Sequence, residues 1–355
     1  MNEPKSSAEF LTGAGEITQD WGELARHLAT NGWELTTDPA PRQFSSGLGN
    51  LNYLIELDAT PMVLRRPPMG PIPPGANDMG RESRILMRLW KKFPLAPRAH
   101  HFCDDAAVIG APFFIMEYRP GLVIGGTMPP QMAPDAGAGL GQMMAEQLAA
   151  FHGVDPAAVD LDTLGNPAGF AARTLKGWTK RAQAAWGGAA PATLEMLAEW
   201  LGLRVPEDGA VTLLHNDFKL DNLILDPTTL APIALIDWDM GTRGDPLWDL
   251  GVLLSYWTEA GDPAAMAELD QMPTAGHGFP SREAMAQAYA AINGIDLTHL
   301  RFHRVLAMLR VAVIFRQLFN RFVEGATDDP RFQRFGETAD GLLAFAGDVA
   351  HEKYF

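Results

Sequence analysis

Two short segments of the sequence combine carboxylate, amide and amine side chains at close spacing. The first is His215-Asn-Asp-Phe-Lys-Leu-Asp-Asn222, and the second is Ile236-Asp-Trp-Asp239. Carboxylate and amide oxygens are the hard ligands that Mg²⁺ prefers in proteins. If the two segments lie side by side, then Asp217, Asn222 and Asp237 form a set of oxygens that suits this ion.

The residues between the two segments predict a β-hairpin that would bring them together. Leu223 to Leu225 and Ile233 to Ile236 are apolar runs of the kind that form strands. The stretch Asp226-Pro-Thr-Thr-Leu-Ala-Pro232 lies between them and is rich in turn-forming residues. Because a hairpin holds its two ends next to each other, we expect the three oxygen-bearing side chains to converge.

The spacing of these residues matches an arrangement used for phosphoryl transfer. In kinases a catalytic Asp is followed five residues later by an Asn that binds Mg²⁺, and a later Asp holds the metal under the phosphates. Asp217 and Asn222 have this spacing, His215 stands where the kinase motif has its His, and Ile-Asp-Trp-Asp239 takes the place of Asp-Phe-Gly. The combination resembles the aminoglycoside phosphotransferase family of choline kinase-like proteins. The alternative is an acidic loop and an unrelated strand end that coincide in this order.

The resemblance covers nearly the whole chain from about residue 42. It implies an α+β, protein-kinase-like fold with two lobes. Residues 1–118 would form a small N-lobe with an antiparallel sheet, and residues 119–355 a larger, mostly helical C-lobe. It also implies transfer of the γ-phosphoryl group of ATP to the hydroxyl group of a small-molecule substrate.

For that reaction, the resemblance gives a role to most polar residues of the two segments. Asp217 would accept or orient the hydroxyl proton, and Asn222 and Asp237 would hold Mg²⁺. Lys219 would reach the transferring phosphoryl group as a point charge; alternatively, it is a surface lysine that balances Asp221.

Two further carboxylates are expected to support this centre. In the family, an Asp on the following helix, here Asp249, lies under the catalytic loop and hydrogen-bonds its backbone. Asp239 would assist the metal or only bond to the loop. Asp245-Pro246 predicts the start of that helix, since Pro is favoured at the first helical position.

A turn of small residues before the run Tyr53 to Leu57 is the candidate cover for the ATP phosphates. It contains Ser46, Gly47 and Gly49, and backbone N–H groups in such a turn can meet phosphate oxygens. Taken alone, it would be an ordinary hairpin turn.

An apolar strand, Met62 to Arg66, follows this turn and ends in two cations. Arg65 stands where the family has its phosphate-binding Lys, and Arg is not interchangeable with Lys. The run Val-Leu-Arg-Arg-Pro-Pro resembles a branch found fused to, or encoded beside, acyl-CoA dehydrogenases. Asp78 predicts the N-cap of a helix over Met79 to Lys91. Its Glu82 is expected to pair with Arg65, although it could merely favour the helix N-terminus.

The next pattern predicts two strands, His100 to Gly110 and Pro112 to Tyr118. The second resembles the family's hinge between lobes, where adenine would hydrogen-bond the backbone near Glu117 and Tyr118. Beyond it the pattern is helical, with predicted helices over 137–152, 170–186, 191–203, 249–258, 281–292, 298–324 and 330–355. Five arginines are scattered along the predicted helix 298–324, and we interpret them as a solvated face with ion pairs in preference to an anion site: Arg301, Arg304, Arg310, Arg316 and Arg321.

Composition narrows the possible partners of the chain. Of its 355 residues, 47% are hydrophobic, which is enough for a sizeable core, and the net charge of −15 argues against nucleic acid. The single cysteine, Cys103, excludes an internal disulfide and a cysteine-based metal site. No long apolar run or signal-like N-terminus is present, so we expect a cytoplasmic protein without a membrane segment. The oligomeric state stays open.

The acceptor is the main open question, and two properties of the sequence point in different directions. The acidic charge favours a cationic acceptor such as an aminoglycoside, whereas the resemblance to the acyl-CoA dehydrogenase branch favours a hydroxyacyl or other catabolic substrate. Macrolides and choline-like alcohols are further classes. The competing interpretation is a non-catalytic nucleotide-binding pseudokinase or scaffold, which the missing strand Lys would favour.

Overall fold

The computed structural model describes residues 10–11, 15–45, 49–70, 77–327, 329–353 and 355. The chain forms two compact units. Unit 1 comprises Met1–Val123, Pro156–Asp162 and Asn222–Gly241, and unit 2 comprises Ile124–Asp155, Thr163–Asp221 and Thr242–Phe355. The predicted lobe boundary after Tyr118 stays a prediction, since the compact units divide the chain differently.

The strands have two to seven residues and the helices four to twenty-four. The strands are β1 (Leu35–Thr36), β2 (Arg42–Gln43), β3 (Leu51–Leu57), β4 (Thr60–Arg66), β5 (Ala99–Cys103), β6 (Phe113–Glu117), β7 (Thr212–Leu214), β8 (Leu223–Leu225), β9 (Pro232–Leu235) and β10 (Thr242–Gly244). The helices are α1 (Trp21–Thr30), α2 (Met79–Leu89), α3 (Ala106–Ile109), α4 (Ala136–His152), α5 (Phe170–Trp186), α6 (Ala192–Gly202), α7 (Pro246–Tyr256), α8 (Ala264–Ala267), α9 (Arg282–Asn293), α10 (Leu300–Val323) and α11 (Phe335–Ala350).

Unit 1 is built on an antiparallel sheet in the order β1-β3-β4-β6-β5, with β2 also paired to β3. Tyr53, Leu64 and Ile115 belong to a buried apolar cluster of this unit, together with Leu24 and Leu28 of α1. On β4, Arg65 pairs in register with Asn52 on β3 and with Phe114 on β6. The sheet therefore fixes the position of the Arg65 side chain.

The predicted hairpin is confirmed in unit 1. Strands β8 and β9 pair antiparallel, with Leu223 opposite Leu235. The side chain of Asp226 accepts hydrogen bonds from the backbone N–H groups of Thr228 and Thr229, at 2.9 and 2.8 Å. This Asp side chain thus stabilises the turn that the sequence indicated.

Unit 2 is mostly helical, and its central element is α10. Most residues of α10 from Leu300 to Phe315 are buried, and this helix packs most extensively against α11 and α7. The predicted helix boundaries agree with the structure to within a few residues for α4, α5, α6, α9 and α10. No helix of the described residues is both long and apolar enough to cross a membrane.

Two predicted elements are wrong. The strand predicted over residues 100–110 ends at Cys103, because the Asp105 side chain caps a helical turn by accepting from Ala107 N at 2.8 Å. The C-terminal helix does not begin at Pro330: a 3₁₀ turn, Pro330–Arg334, precedes α11. In both places a capping Asp starts a separate short helix.

Candidate functional site

In unit 1, Arg65 at the end of β4 lies between two carboxylates. Its Nε donates to Glu82 Oε2 at 2.9 Å, and its Nη2 donates to Asp237 Oδ1. Glu82 lies in the first turn of α2, and its other oxygen accepts from the backbone N–H of Trp238 at 3.2 Å. The predicted Arg65–Glu82 pair is therefore formed, and it is linked to the segment that carries Asp237.

Burial and charge oppose each other in this pair. Burial raises the pKa of Glu82, and the nearby Arg65 only partly offsets that effect. Burial would lower the pKa of Arg65, but Glu82 and Asp237 together raise it above its ordinary value. The guanidinium group thus stays charged under all ordinary conditions.

Asn222 and Asp237 lie at neighbouring ends of the hairpin. The backbone N–H of Ile236 donates to the carbonyl of Asn222 at 2.9 Å, so the next residue, Asp237, follows directly from a paired position. Asp237 has a φ of +69°, and its side chain is 38% exposed. Asn222 and Asp237 are thus neighbours at the paired end of the hairpin, and Asp217 belongs to unit 2. The convergence of their side-chain oxygens stays a prediction.

Their chemistry fits Mg²⁺. This ion is commonly held by one or two carboxylates together with substrate phosphates and water, without an all-protein cage. Asn222 offers an amide oxygen and Asp237 a partly exposed carboxylate. Among the described residues, no group of three or more His, Cys, Asp or Glu side chains forms a potential metal site.

A cavity of about 240 Å³ opens in unit 1 next to this cluster. Its apolar lining includes Val63, Met116, Ile224 and Ile236. Its polar lining comes from the end of β4, from the end of β6 and the residues that follow it, and from the segment after β9, and it includes Arg65, Glu117, Tyr118 and Asp237. A mostly apolar cleft with a few polar groups is typical of a small-molecule site.

The segment after β6 is held rigidly. Arg119 donates to Glu117 Oε2 at 2.6 Å and to the carbonyl oxygens of Ala96 and Ile233. At Gly121 a Cβ atom would lie 2.5 Å from Leu225 O, so only glycine permits this approach. The predicted hinge residues Glu117 and Tyr118 therefore line the cavity on a fixed backbone.

The proposed phosphate-covering turn is described only in part. Ser46 and Gly47 lie outside the described residues. Gly49 is described, and its carbonyl accepts from Asn77 Nδ2 at 2.8 Å. The role of the turn stays a prediction.

In unit 2, Asp217 is surrounded by three hydrogen-bonding or charged partners. Arg310 Nη2 and the Tyr256 hydroxyl donate to its Oδ1 at 3.2 and 3.3 Å, and Lys219 Nζ lies 3.6 Å from its Oδ2. Burial would raise the pKa of Asp217, but Lys219 and Arg310 outweigh it and lower the pKa to about 2. The carboxylate is thus ionised at neutral pH.

Lys219 makes the pairing with Asp221 that one of the two alternatives expected, and its contact with a transferring phosphoryl group stays a prediction. Its Nζ donates to Asp221 Oδ2 and to Gln271 Oε1, each at 3.1 Å, and also pairs with Asp217. The side chain is only 12% exposed, so it is not a solvated surface lysine. Burial would lower its pKa, but Asp217 and Asp221 raise it, and the ammonium group stays charged.

The support expected from Asp249 is confirmed. Its two oxygens accept from the backbone N–H groups of His215 and Asn216, at 2.6 and 2.8 Å. Asn216 has a φ of +67°, and its side chain accepts from Trp248 Nε1 at 2.6 Å. Asp249, buried in the first turn of α7, thus holds the backbone of the two residues that precede Asp217.

We expect Asp249→Ala to destabilise the protein strongly. Two buried backbone N–H groups would lose a charged acceptor, which should lower the free energy of unfolding by about 2–4 kcal/mol. Urea unfolding of this variant and of Asp226→Ala, in an exposed turn, would measure the difference. Equal losses in the two variants would contradict the support role.

The interpretation of the C-terminal arginines is wrong for two of them. Arg304 and Arg310 are each only 2% exposed, and Arg310 contacts Asp217. Both stand in a mostly apolar part of α10. Arg310 pairs there with Asp217, whereas the guanidinium carbon of Arg304 lies 5.9 Å from the ring centroid of Phe345. The position of Arg310 between the apolar residues Leu309 and Val311 could have indicated that it is buried. No sequence pattern indicated that Tyr256 contacts Asp217.

A family model and several relatives match this chain. Residues 41–289 match the model of the phosphotransferase enzyme family. The chain is 32% identical over 315 residues to acyl-CoA dehydrogenase family member 10 of Mus musculus, covering 88% of this chain but only 29% of that relative.

Solved structures show the same fold. A chain from Ralstonia eutropha, provisionally named an aminoglycoside phosphotransferase, superposes with a TM-score of 0.78 at 25% identity, covering 94% of this chain and 99% of that one. A thermostable mutant of an aminoglycoside phosphotransferase, in ternary complex with ADP and hygromycin B, gives a TM-score of 0.57 at 14% identity, covering 91% and 98%. The predicted kinase-like α+β fold and the resemblance to the acyl-CoA dehydrogenase branch are therefore confirmed.

Proposed function

Because this chain belongs to the phosphotransferase enzyme family, we propose that it transfers the γ-phosphoryl group of ATP to the hydroxyl group of a small molecule. The observation that carries the proposal is the ionised Asp217, held by Lys219, Arg310 and Tyr256 on a loop that Asp249 fixes. A carboxylate placed in this way can orient a hydroxyl group for attack.

ATP is proposed to bind in unit 1. The base would occupy the apolar cavity and hydrogen-bond the backbone near Glu117 and Tyr118, and Arg65 would contact the α- and β-phosphates. Arg65 keeps the pairing with Glu82 that kinases make between a strand Lys and a helix Glu. This pairing supports an active kinase, whereas the absence of that Lys would favour a non-catalytic scaffold.

Asn222 and Asp237 are proposed to hold Mg²⁺. When bound, the ion neutralises charge on the β- and γ-phosphate oxygens. Asp237 is already in contact with Arg65, so a cation at this carboxylate would rearrange the Arg65–Asp237 contact. Ser46, Gly47 and Gly49 are proposed to cover the phosphates with their backbone N–H groups.

The transfer step needs little covalent chemistry from the protein. The acceptor oxygen forms a bond to the γ-phosphorus while the bond from that phosphorus to the bridging oxygen breaks, and its electron pair leaves with ADP. The hydroxyl proton passes to Asp217 and then to water. Lys219 is proposed to stabilise the charge on the transferring group, since positioning and electrostatics dominate phosphoryl transfer.

The acceptor class proposed first is a hydroxyacyl or other catabolic hydroxy compound. The relatives of the acyl-CoA dehydrogenase family support it, although this chain spans less than half of their length. An aminoglycoside-like acceptor is the second class, supported by the net charge of −15. Overall charge says little about a single pocket, so we rank the first class higher.

Nucleotide binding can be tested by thermal shift. Mg²⁺ with ATP at one hundred times its Kd should stabilise the native state by about 2.7 kcal/mol and raise the Tm. Asp237→Asn should lose the Mg²⁺-dependent part of this shift, while Asp226→Asn, in the turn of the same hairpin, should keep it. If millimolar Mg²⁺ and ATP leave the Tm of the unmodified protein unchanged, the kinase proposal fails and a scaffold role is favoured.

Activity then requires an acceptor screen. ADP release would be measured with hydroxyacyl-CoA compounds, aminoglycosides, macrolides and amino alcohols, each against a control without acceptor.

A further inference from the structure

Arg310 joins α10 to the loop that carries Asp217. Its Nη2 donates to Asp217 Oδ1 at 3.2 Å, and its Nη1 lies 3.4 Å from the Tyr256 hydroxyl. That hydroxyl also donates to Asp217 Oδ1 at 3.3 Å. The three groups come from the loop, from the last residue of α7 and from α10, and they form a closed triangle.

A triangle of this kind restrains the carboxylate. Both Arg310 and Tyr256 bind the same oxygen, so rotation of the Asp217 side chain would break two hydrogen bonds at once. Arg310 is itself held by the core, since it is 2% exposed and its guanidinium carbon lies 5.9 Å from the ring centroid of Trp178. The restraint therefore comes from a buried part of α10.

Building on the proposed function, we propose that Arg310 is a positioning residue, which together with Tyr256 holds Asp217 in the one orientation that receives the acceptor hydroxyl. Asp217 would thus act mainly by aligning the hydroxyl, and the proton would leave late in the transfer. Such late proton loss suits a loose transition state, in which little nucleophilic push is needed.

The charge of Arg310 supports a role for Asp217 in aligning the hydroxyl more than in removing its proton early. With Lys219, it lowers the pKa of Asp217 to about 2, so the carboxylate is a weak proton acceptor at neutral pH. Without Arg310, Lys219 and His215 would still lower the pKa of Asp217, but they would offset less of the effect of burial, so that pKa would rise. The proposal therefore predicts a change in pH dependence as well as in rate.

The test compares Arg310→Met with Arg310→Lys. We expect Arg310→Met to lower kcat on the order of 10–100-fold, with the KM for ATP unchanged, because a misplaced group costs rate and not nucleotide affinity. A new acidic limb should appear in its kcat–pH profile. Arg310→Lys should keep the flat profile and recover part of the lost rate.

Arg304→Met is the matched control. Arg304 lies on the same helix and is equally buried, and its guanidinium nitrogens make no hydrogen bond within the described part of the chain. Burial lowers the pKa of Arg304 to about 9. Arg304→Met therefore measures the effect of removing a buried arginine from this helix without removing a hydrogen bond to Asp217. If Arg304→Met and Arg310→Met lose the same rate with the same pH profile, the positioning role is overturned.

A second measurement separates this proposal from the proposed function. The carboxyl ¹³C signal of Asp217, assigned by its loss in Asp217→Asn, can be titrated without any acceptor. A pKa that rises by one unit or more in Arg310→Met supports the contact, and a pKa that stays near its original value overturns it. Absence of turnover with every acceptor would contradict the proposed function but would leave this titration decisive for Arg310.

Discussion

Asp217→Asn is expected to lower kcat by about 10²–10⁴-fold, the usual contribution of a positioned proton acceptor. The amide keeps the size of the side chain but loses the charge that orients the acceptor hydroxyl. Mg²⁺ and ATP should still raise the Tm of this variant, because Arg65, Asn222 and Asp237 are unchanged. The rate would be measured as acceptor-dependent ADP release under saturating substrates.

The pH dependence provides a second readout of the same residue. A folded pKa of about 2 lies below the ordinary carboxyl value, so Asp217 is ionised throughout the usual assay range. For the unmodified protein we therefore expect no acidic limb from this group in kcat above about pH 5. A limb that belongs to Asp217 near neutral pH would contradict the contacts with Lys219 and Arg310.

Asp221→Asn is the control for this prediction. Asp221 is a neighbouring carboxylate and also pairs with Lys219, but it does not occupy the catalytic position of the motif. It should lose far less activity than Asp217→Asn. An Asp217→Asn protein with an unchanged rate would exclude the assigned role.

Arg65→Met is expected to damage both stability and nucleotide binding. Removing one partner of a buried ion pair leaves Glu82 uncompensated, which should lower the free energy of unfolding by about 3–5 kcal/mol. The same change removes the proposed phosphate contact, so Mg²⁺ and ATP should no longer shift the Tm. Chemical unfolding and thermal shift would measure the two effects separately.

The loss of stability should depend on pH in a defined direction. Burial already raises the pKa of Glu82, and loss of Arg65 raises it further. A raised folded pKa means that the folded state takes up a proton more readily than the unfolded state, so stability increases as pH falls. Arg65→Met should therefore be closer to the unmodified protein at pH 5 than at pH 8.

A double variant separates structure from binding. Arg65→Met combined with Glu82→Leu replaces the pair by apolar groups, which is often neutral for stability. We expect this variant to fold nearly normally and still to fail in the Mg²⁺–ATP shift. Arg66→Met is a neighbouring control: Arg66 donates to Gln19 and to Ile109 O, so this change should destabilise the protein without affecting nucleotide binding. Normal nucleotide binding by the double variant would refute the role of Arg65.

The sequence was most informative where a local pattern sets a local structure. The hairpin of β8 and β9, the cap at Asp78 and the contact of Asp249 with the loop all follow from short-range signals or from the family's motif. The Arg65–Glu82 pair also follows, since the two residues occupy fixed places on a strand end and a helix start.

The rest depends on packing between segments distant in sequence. Arg310 is 93 residues from Asp217, and only the fold of unit 2 brings them together. Its neighbours in α10 suggested burial, but not the partner. The helical turn of α3 was missed for a different reason: the Asp105 cap acts over two residues and ends a strand that apolar character alone would continue.

The chemistry of two side chains also determines which reagents can detect this protein. Probes that mark nucleotide sites by acylating a nearby amine need an unprotonated lysine. The strand position carries the guanidinium of Arg65, and the amine of Lys219 is kept protonated by Asp217 and Asp221. A survey of nucleotide-binding proteins by amine acylation should therefore place no label at either of these two positions, whereas photo-crosslinking nucleotides do not depend on an unprotonated amine.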